Sequence, residues 1–371
     1  MKGDGGDGGV TCMIVMPRLS GPKSAGDEVV YRHAVAHLGR SMTVVTAEFG
    51  SVGRGRRLLN LITRRAPPEL ARYIGRSNDL AIERALASQP VDVVCFLHEG
   101  GFTFLEVAQR LGLPCVLYPH NVHSVVARTD GSMFGRLFAS AAARFERTWY
   151  GDREAGLVCI SRTDAEGLKA VGVNRTDVRI APPGAPPPRA LDPGASVLPE
   201  VVLTGSYGWW RKRRHLTRFA KSPGRLDAPV LMTDPAGVEI LGDQGRAMDK
   251  DALDWSSGLR FGLITDGFGG GFKLKSLEYV ALNCLVLSYC DLSLEFEGLP
   301  HADEFVRHVS GKAEIARIMA EAAARPRAEF IERFLTFKAA CLRRFDWDRC
   351  LEPLRDEILS KTASSRLAQR A

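Results

Sequence analysis

The sequence predicts an α/β protein made of two successive domains. Short apolar runs of strand length alternate with segments of helical apolar spacing along most of the chain, the pattern of parallel βαβ units. A proline-rich connector, from Pro182-Pro183-Gly184 to about Pro199, interrupts that alternation halfway. The length, 371 residues, also suits two domains. The expected divisions are a disordered start over 1–10, a first domain over 11–181, the connector over 182–199, a second domain over 200–345 and a terminal helix and tail over 346–371.

The composition is that of a globular protein, with 45% apolar and 25% charged residues. No apolar run approaches the roughly 18 residues of a membrane span. Met13 to Met16 is too short for the core of a signal peptide. Eight cysteines are scattered without a C-x-x-C pair, and five fall in or beside predicted strands. They read as buried, reduced thiols of a cytoplasmic protein. The net charge of +7 is a mild bias towards anionic partners, and no nucleic-acid motif accompanies it.

In the first half, Thr11 to Pro17 reads as a strand, followed by a loop to Gly26 and a helix from Asp27 to Leu38. Gly26 thus lies beyond the carboxyl end of the first strand, where open α/β sheets bind ligands. His33 and His37 share a helix face but have no third ligand beside them, so they are not read as a metal pair. Met42 to Thr46 is the next strand. Arg54 to Arg65 places five arginines around Leu58, Leu59, Leu61 and Ile62. As a helix it would either lie on an anionic membrane surface or dock on the domain with a solvated basic rim.

Val91 to Leu97 and Pro114 to Tyr118 are buried strands with a helix near Phe102 to Leu111 between them. Pro119-His120-Asn121-Val122-His123-Ser124 then forms a polar turn at a strand's carboxyl end. There His120 can transfer or donate a proton, or simply brace the turn. Arg136 to Trp149 is a helix, Leu157 to Ile160 a strand, and Ser161 to Asp164 a helix cap. Val178 to Ile180 closes the first domain.

In the second half, Glu200 to Thr204 is a strand that leads through Gly205 to Trp209-Trp210-Arg211-Lys212-Arg213-Arg214, a basic run able to hold a diphosphate. Ala228 to Met232 is a further strand. Leu259 to Thr265 reads as a strand, Asp266 to Gly271 as a glycine loop, Phe272 to Leu282 as a helix and Leu285 to Leu287 as a strand. A glycine loop feeding a helix N-terminus offers free N–H groups to an anion. Lys273 and Lys275 in that first turn are unfavourable unless an anion binds. Phe272 excludes a G-x-G-x-x-G fingerprint begun at Gly267, and no Lys-Ser/Thr follows the glycines as a Walker loop requires. Helices are expected over 313–323, 329–343 and 348–359, with a frayed tail from Lys361. Asp346-Trp347-Asp348 at the start of the last helix reads as capping and not as a metal-binding D-x-D.

Lys275-Ser276-Leu277-Glu278 behind a glycine loop, together with the His120-Asn121-x-x-Ser124 turn and the Pro183-Gly184 step, resembles GT-B glycosyltransferases of the retaining family-4 type. The resemblance covers about residues 11–360. It implies a GT-B fold, two Rossmann-like doubly wound domains facing a cleft, with the terminal helix crossing back to the first. It implies transfer of a sugar from a nucleotide-diphosphate sugar to an acceptor hydroxyl of a glycan, lipid-linked or small molecule, as in polysaccharide biosynthesis. The donor is then a co-substrate and no cofactor or metal is needed.

Carried onto this chain, the resemblance places the donor at Gly205, Lys212, Gly269, Gly270, Gly271, Lys273, Lys275 and Glu278, with Glu278 on the ribose. It places His120 near the transferred sugar, with Gly26 and Asn121 on the acceptor side. Gly270 stands where many relatives have an acidic residue, and Ser206 where they have arginine. A nucleotide-sugar epimerase of the same fold and a binding-only partner subunit remain alternatives. The expected location is cytoplasmic, peripheral to the inner face of the membrane if Arg54–Arg65 docks there.

Overall fold

Among the described residues, twelve strands form two sheets of six, and every pairing is parallel. The computed structural model describes residues 9–18, 26–63, 66–130, 133–152, 154–192 and 194–368. The expected disordered start at 1–10 therefore lies almost wholly outside the described residues, as do Ser24, Ala25, Arg64 and Arg65. The chain divides into two compact units. The first holds residues 1–183, 270–272 and 348–371; the second holds 184–269 and 273–347.

The first unit contains β1 (Thr11–Pro17), β2 (Thr43–Phe49), β3 (Val93–Phe96), β4 (Cys115–Leu117), β5 (Gly156–Cys159) and β6 (Arg179–Ile180), in the order β2-β1-β3-β4-β5-β6. Cys12 to Met16 and Val93 to Phe96 are buried, as parallel strands covered on both faces must be. Register is fixed on both sides of β1, with Ile14 opposite Thr46 and Cys95. The strand order reverses between β1 and β3, and the loops at their carboxyl ends therefore diverge to leave a crevice.

The second unit contains β7 (Ser196–Leu203), β8 (Val230–Met232), β9 (Gly245–Ala247), β10 (Gly258–Ile264), β11 (Cys284–Ser288) and β12 (Val306–His308). Their order, β12-β11-β10-β7-β8-β9, reverses between β10 and β7. The helix after β10 lies over that point. Gly262 makes this possible, since a Cβ there would sit 2.2 Å from the Tyr279 ring. The Tyr279 hydroxyl donates to Leu263 O at 3.1 Å and accepts from Thr204 N–H at 3.0 Å, pinning the two central strands together.

Several boundaries differ from the sequence expectation. The helix expected from Phe272 starts at Leu274, with Lys273 as its N-cap. The strand expected at Glu200 starts at Ser196, inside the expected connector. The tail expected to fray from Lys361 stays helical to Ala368. Its helix, Trp347–Ala368, buries Leu351, Leu354 and Ile358 completely. Arg179 Nε donates to Glu357 Oε2 at 2.7 Å, which ties this helix to β6. Past Lys361 the helix is anchored by buried Thr362, whose Oγ1 donates to Ile358 O at 2.8 Å, and by Lys361 Nζ, which donates to Glu154 O at 2.8 Å. Asp348, in the first turn of this helix, lies 3.2 Å from His37 Nδ1 and 2.6 Å from Arg40. All eight cysteines are buried, and none forms a disulfide.

Candidate active site

At the reversal point of the second sheet, β7 runs out into Thr204-Gly205 and the helix behind β10 brings Lys275 against it. Gly205 adopts φ +80°, and a Cβ there would lie 2.9 Å from Lys275 Cε. The backbone conformation thus favours glycine, and a Cβ there would push the end of the Lys275 side chain aside. The Lys275 ammonium lies 4.5 Å above the Tyr207 ring and 3.5 Å from its hydroxyl. It has no carboxylate within ion-pair distance among the described residues. Burial pulls its pKa down, against the opposing pull of Asp266, Glu278 and Asp234. The first turn of its helix contains no acidic residue. A half-buried ammonium at a helix N-terminus, with no carboxylate in ion-pair contact among the described residues, suits an anionic ligand.

The surrounding groups are already committed to shaping this corner. Glu278 Oε2 accepts from Thr204 Oγ1 at 2.8 Å, and Glu278 Oε1 accepts from Lys250. The carboxylate expected to take ribose hydroxyls thus already has a cation on it, one that the sequence did not reveal. Gly205 N–H donates to Thr233 Oγ1 at 3.1 Å, and Tyr207 N–H to Asp234 at 2.6 Å. Ser206 Oγ accepts from Gly208 N–H at 3.2 Å. In the basic run, Arg211 is the buried cation, with its guanidinium 4.7 Å from the Trp210 ring centre. Lys212 is half-buried beside it. Lys273 Nζ lies 4.3 Å above the Phe268 ring.

At the carboxyl ends of the first sheet a second constellation forms. His120 Nδ1 lies 3.1 Å from Asp27 Oδ1, on the first turn of the helix Gly26–Leu38. His120 Nε2 is buried and has no hydrogen-bond partner among the described residues. Burial lowers the His120 pKa, but the hydrogen bond and charge of Asp27, with Glu99 and Asp164, outweigh it and raise it. Burial pushes the Asp27 carboxyl up, but the hydrogen bond and charge of His120 outweigh this and hold it below its ordinary value. An ionised Asp27 only accepts, so Nδ1 carries a proton. In the cation Nε2 then carries one too and donates.

Beneath this pair, Glu99 is buried among histidines. It accepts from His120 N–H at 3.2 Å and pairs with His123 Nε2 at 3.0 Å, in an ion pair that lacks hydrogen-bond geometry. Burial lowers the His123 pKa, but Glu99 reverses this and lifts it to about 9. His98 goes the other way. Burial dominates and keeps it neutral, with Nδ1 accepting from Gly100 N–H at 2.8 Å.

The glycine loop supplies a correction. Gly271 N–H donates to both carboxylate oxygens of Asp164 at 3.0 Å. It is therefore engaged and not presented to an anion. Asp164 also accepts from Val122 N–H at 3.2 Å and from Ser161 Oγ at 2.6 Å. Ser161 caps the helix, its Oγ accepting from Asp164 N–H at 2.9 Å, while the Asp164 carboxylate clamps two loops. Gly270 and Gly271 have φ of +88° and +65°. A Cβ at 270 would lie 2.7 Å from Val126 Cγ2, and one at 271 would lie 2.5 Å from Asn121 Oδ1 and 2.8 Å from His120 O. The absence of an acidic residue at 270 thus has a steric cause. Gly271 sits beside His120 and Asn121, and the Asn121 side chain makes no hydrogen bond among the described residues. Gly269 is half-buried, and Gly26 is exposed.

Asp27, Glu99, Lys250 and Tyr279 were not read from the sequence. Only Asp27, an acidic residue in a helix's first turn next to Gly26, carried a usable signal. Among the described residues, no group of three or more His, Cys, Asp or Glu could hold a metal ion. No helix among them is long and apolar enough to cross a membrane.

The family model for Glycosyltransferase Family 4 matches residues 26–189, which include the His120–Asp27 constellation. Over residues 26–189 this chain is similar to that family. Among solved structures, its fold is similar to that of a UDP-forming α,α-trehalose-phosphate synthase from Burkholderia vietnamiensis. Identity is 13% and the TM-score 0.58, covering 96% of this chain and 98% of that one. Anabaena HepE in complex with UDP-glucose gives 11% identity and a TM-score of 0.54, covering 97% and 99%. A UDP-glucosyltransferase from Polygonum tinctorium gives 12% and 0.51, covering 95% and 99%. At such identities the likeness establishes the fold, which is GT-B. No curated protein matches in sequence. The chemistry-bearing residues thus fall into two sets, the His120 network within one unit and the Lys275 corner within the other.

Proposed function

We infer that the protein transfers a sugar from a nucleotide-diphosphate sugar to an acceptor hydroxyl, with Lys275 stabilising the negative charge that builds on the departing diphosphate. One observation carries this reading: a half-buried ammonium, set beside left-handed Gly205 at the sheet's reversal point, with no carboxylate paired to it among the described residues. A diphosphate supplies the missing charge, and cations fixed in place before the reaction cost no reorganisation during it. No metal is called for, because Lys275 and the helix N-terminus take its part. The similar folds of proteins described with UDP-glucose or as UDP-forming and UDP-glucosyl-transferring support a uridine donor.

His120 acts as a cation that donates from Nε2. Asp27, Glu99 and Asp164 all favour its charged form. A cation is ill placed to stabilise an oxocarbenium, so its donation goes to a sugar hydroxyl or a donor phosphate oxygen. This fits a retaining outcome, in which no protein base has to activate the acceptor. Asn121, with an uncommitted amide beside Gly271, orients the acceptor or the sugar. Glu278 takes the ribose hydroxyls with the lone pairs that Lys250 and Thr204 leave open.

Thermal shift against a set of nucleotide-diphosphate sugars, followed by product analysis with and without acceptors, tests the reading. A stabilising donor should appear, and nucleotide diphosphate should be released only with acceptor. Lys275→Ala should abolish the shift and lower kcat/KM by about 100-fold or more. An unchanged shift in that variant removes the site assignment. Conversion of the donor without acceptor would make the protein an epimerase.

A further inference from the structure

The helix Arg54–Thr63 is held to its unit on one side only. Asn60, fully buried, donates through Nδ2 to Ala71 O and Ile74 O, both at 2.8 Å. It is the helix's one buried residue. Leu58, Leu59 and Ile62 are 58%, 45% and 67% exposed. At about 100° per residue these three share one arc of about 100°, and Asn60 lies almost opposite. Arg54 and Arg56 border that arc on its two sides, and Arg57 lies beyond Arg54. All three arginines are exposed, and none has an ion pair among the described residues. The stretch 51–68 contains no acidic residue.

This disposition is costly in water and matched to one kind of surface. Three large aliphatic side chains point outward on one arc, and guanidinium groups without counter-charges rim them. Long arginine stems can bring their charge to headgroup phosphates while the aliphatic arc enters the acyl boundary. We propose that the Leu58–Leu59–Ile62 face of this helix docks the protein on a bilayer surface rich in anionic phospholipid, with Arg54, Arg56 and Arg57 on the headgroup phosphates. A protein partner with a neutral apolar groove would leave the arginines uncompensated. An anionic bilayer satisfies both the charge and the apolar arc. The docking is independent of sugar transfer, because none of these residues belongs to the His120 network or the Lys275 corner.

Flotation of the full chain with vesicles decides it, using phosphatidylcholine alone and phosphatidylcholine mixed with phosphatidylglycerol. The protein should float with the mixed vesicles only, and less so as salt is raised. Replacing Arg54, Arg56 and Arg57 by alanine should weaken partition roughly a hundredfold. Leu58→Ser with Leu59→Ser and Ile62→Asn should also abolish flotation. Both variants should unfold at the parent's temperature, since the altered side chains are exposed. Equal flotation with neutral vesicles, no flotation at all, or variants that float like the parent would overturn the proposal. So would a dimer of the parent that the leucine variant dissolves, because the face would then belong to a second copy of the chain.

Discussion

His120 is defined less by its own position than by the carboxylates around it. Asp27 fixes the proton on Nδ1 and, with Glu99, keeps the ring charged to higher pH than a free histidine. If the cation is the active form, turnover should be level at low pH and fall as pH rises through the raised pKa. Asp27→Asn removes the hydrogen bond and charge that raise it. The alkaline limb of kcat should therefore move to lower pH, while His120→Ala should lower kcat by about 100-fold or more. Turnover that instead rises with pH would make His120 a base. His123 offers a separate test through stability. Its folded pKa, about 9, exceeds the unfolded value of about 6.5. Its stabilising contribution is complete below about 6.5 and is lost as pH approaches 9. The stability advantage of the parent over His123→Gln, measured by urea unfolding, should shrink by on the order of 1–3 kcal/mol across that window.

At the level of elements, the loop between β10 and its following helix works through backbone shape. Gly270 and Gly271 are left-handed and lie against Val126, Asn121 and His120 O. Gly270→Asp, which would restore the acidic residue common in relatives, should gain no activity. It should cost about 2–5 kcal/mol through an unfavourable φ and a contact with Val126 that cannot relax freely. A thermal melt of that variant, with a donor-binding assay beside it, would show this directly. The strand-loop-helix-strand order was legible because apolar runs and glycines are local signals. That the Gly271 amide serves Asp164 was not legible, since 107 residues separate them.

Across the whole molecule, two parallel sheets with reversed strand order place chemistry at their carboxyl ends, and the chain's last helix completes the first of them. Gly156 packs under Glu357, and Leu351, Leu354 and Ile358 are inaccessible to water. Each such side chain contributes about 1.5–3 kcal/mol by burial. Truncation after Phe345 should therefore unfold or aggregate the first unit, although no residue of the His120 network is removed. Calorimetry of the truncated chain should show loss of one transition and survival of another.

The order of residues alone was enough for the alternation of strands and helices, the division near Pro183-Gly184 and the glycine loop ahead of Lys275, because periodicity and backbone permissiveness are written in neighbouring residues. It also marked His120 as a polar residue at a strand's end. It took the folded arrangement to establish that Asp27 and Glu99 set its charge, that Lys250 already pairs with Glu278, and that Lys275 has no carboxylate within ion-pair distance among the described residues. Those facts depend on burial and on pairings between distant segments, where the electrostatic environment of a group is a property of the fold and not of its neighbours in the chain.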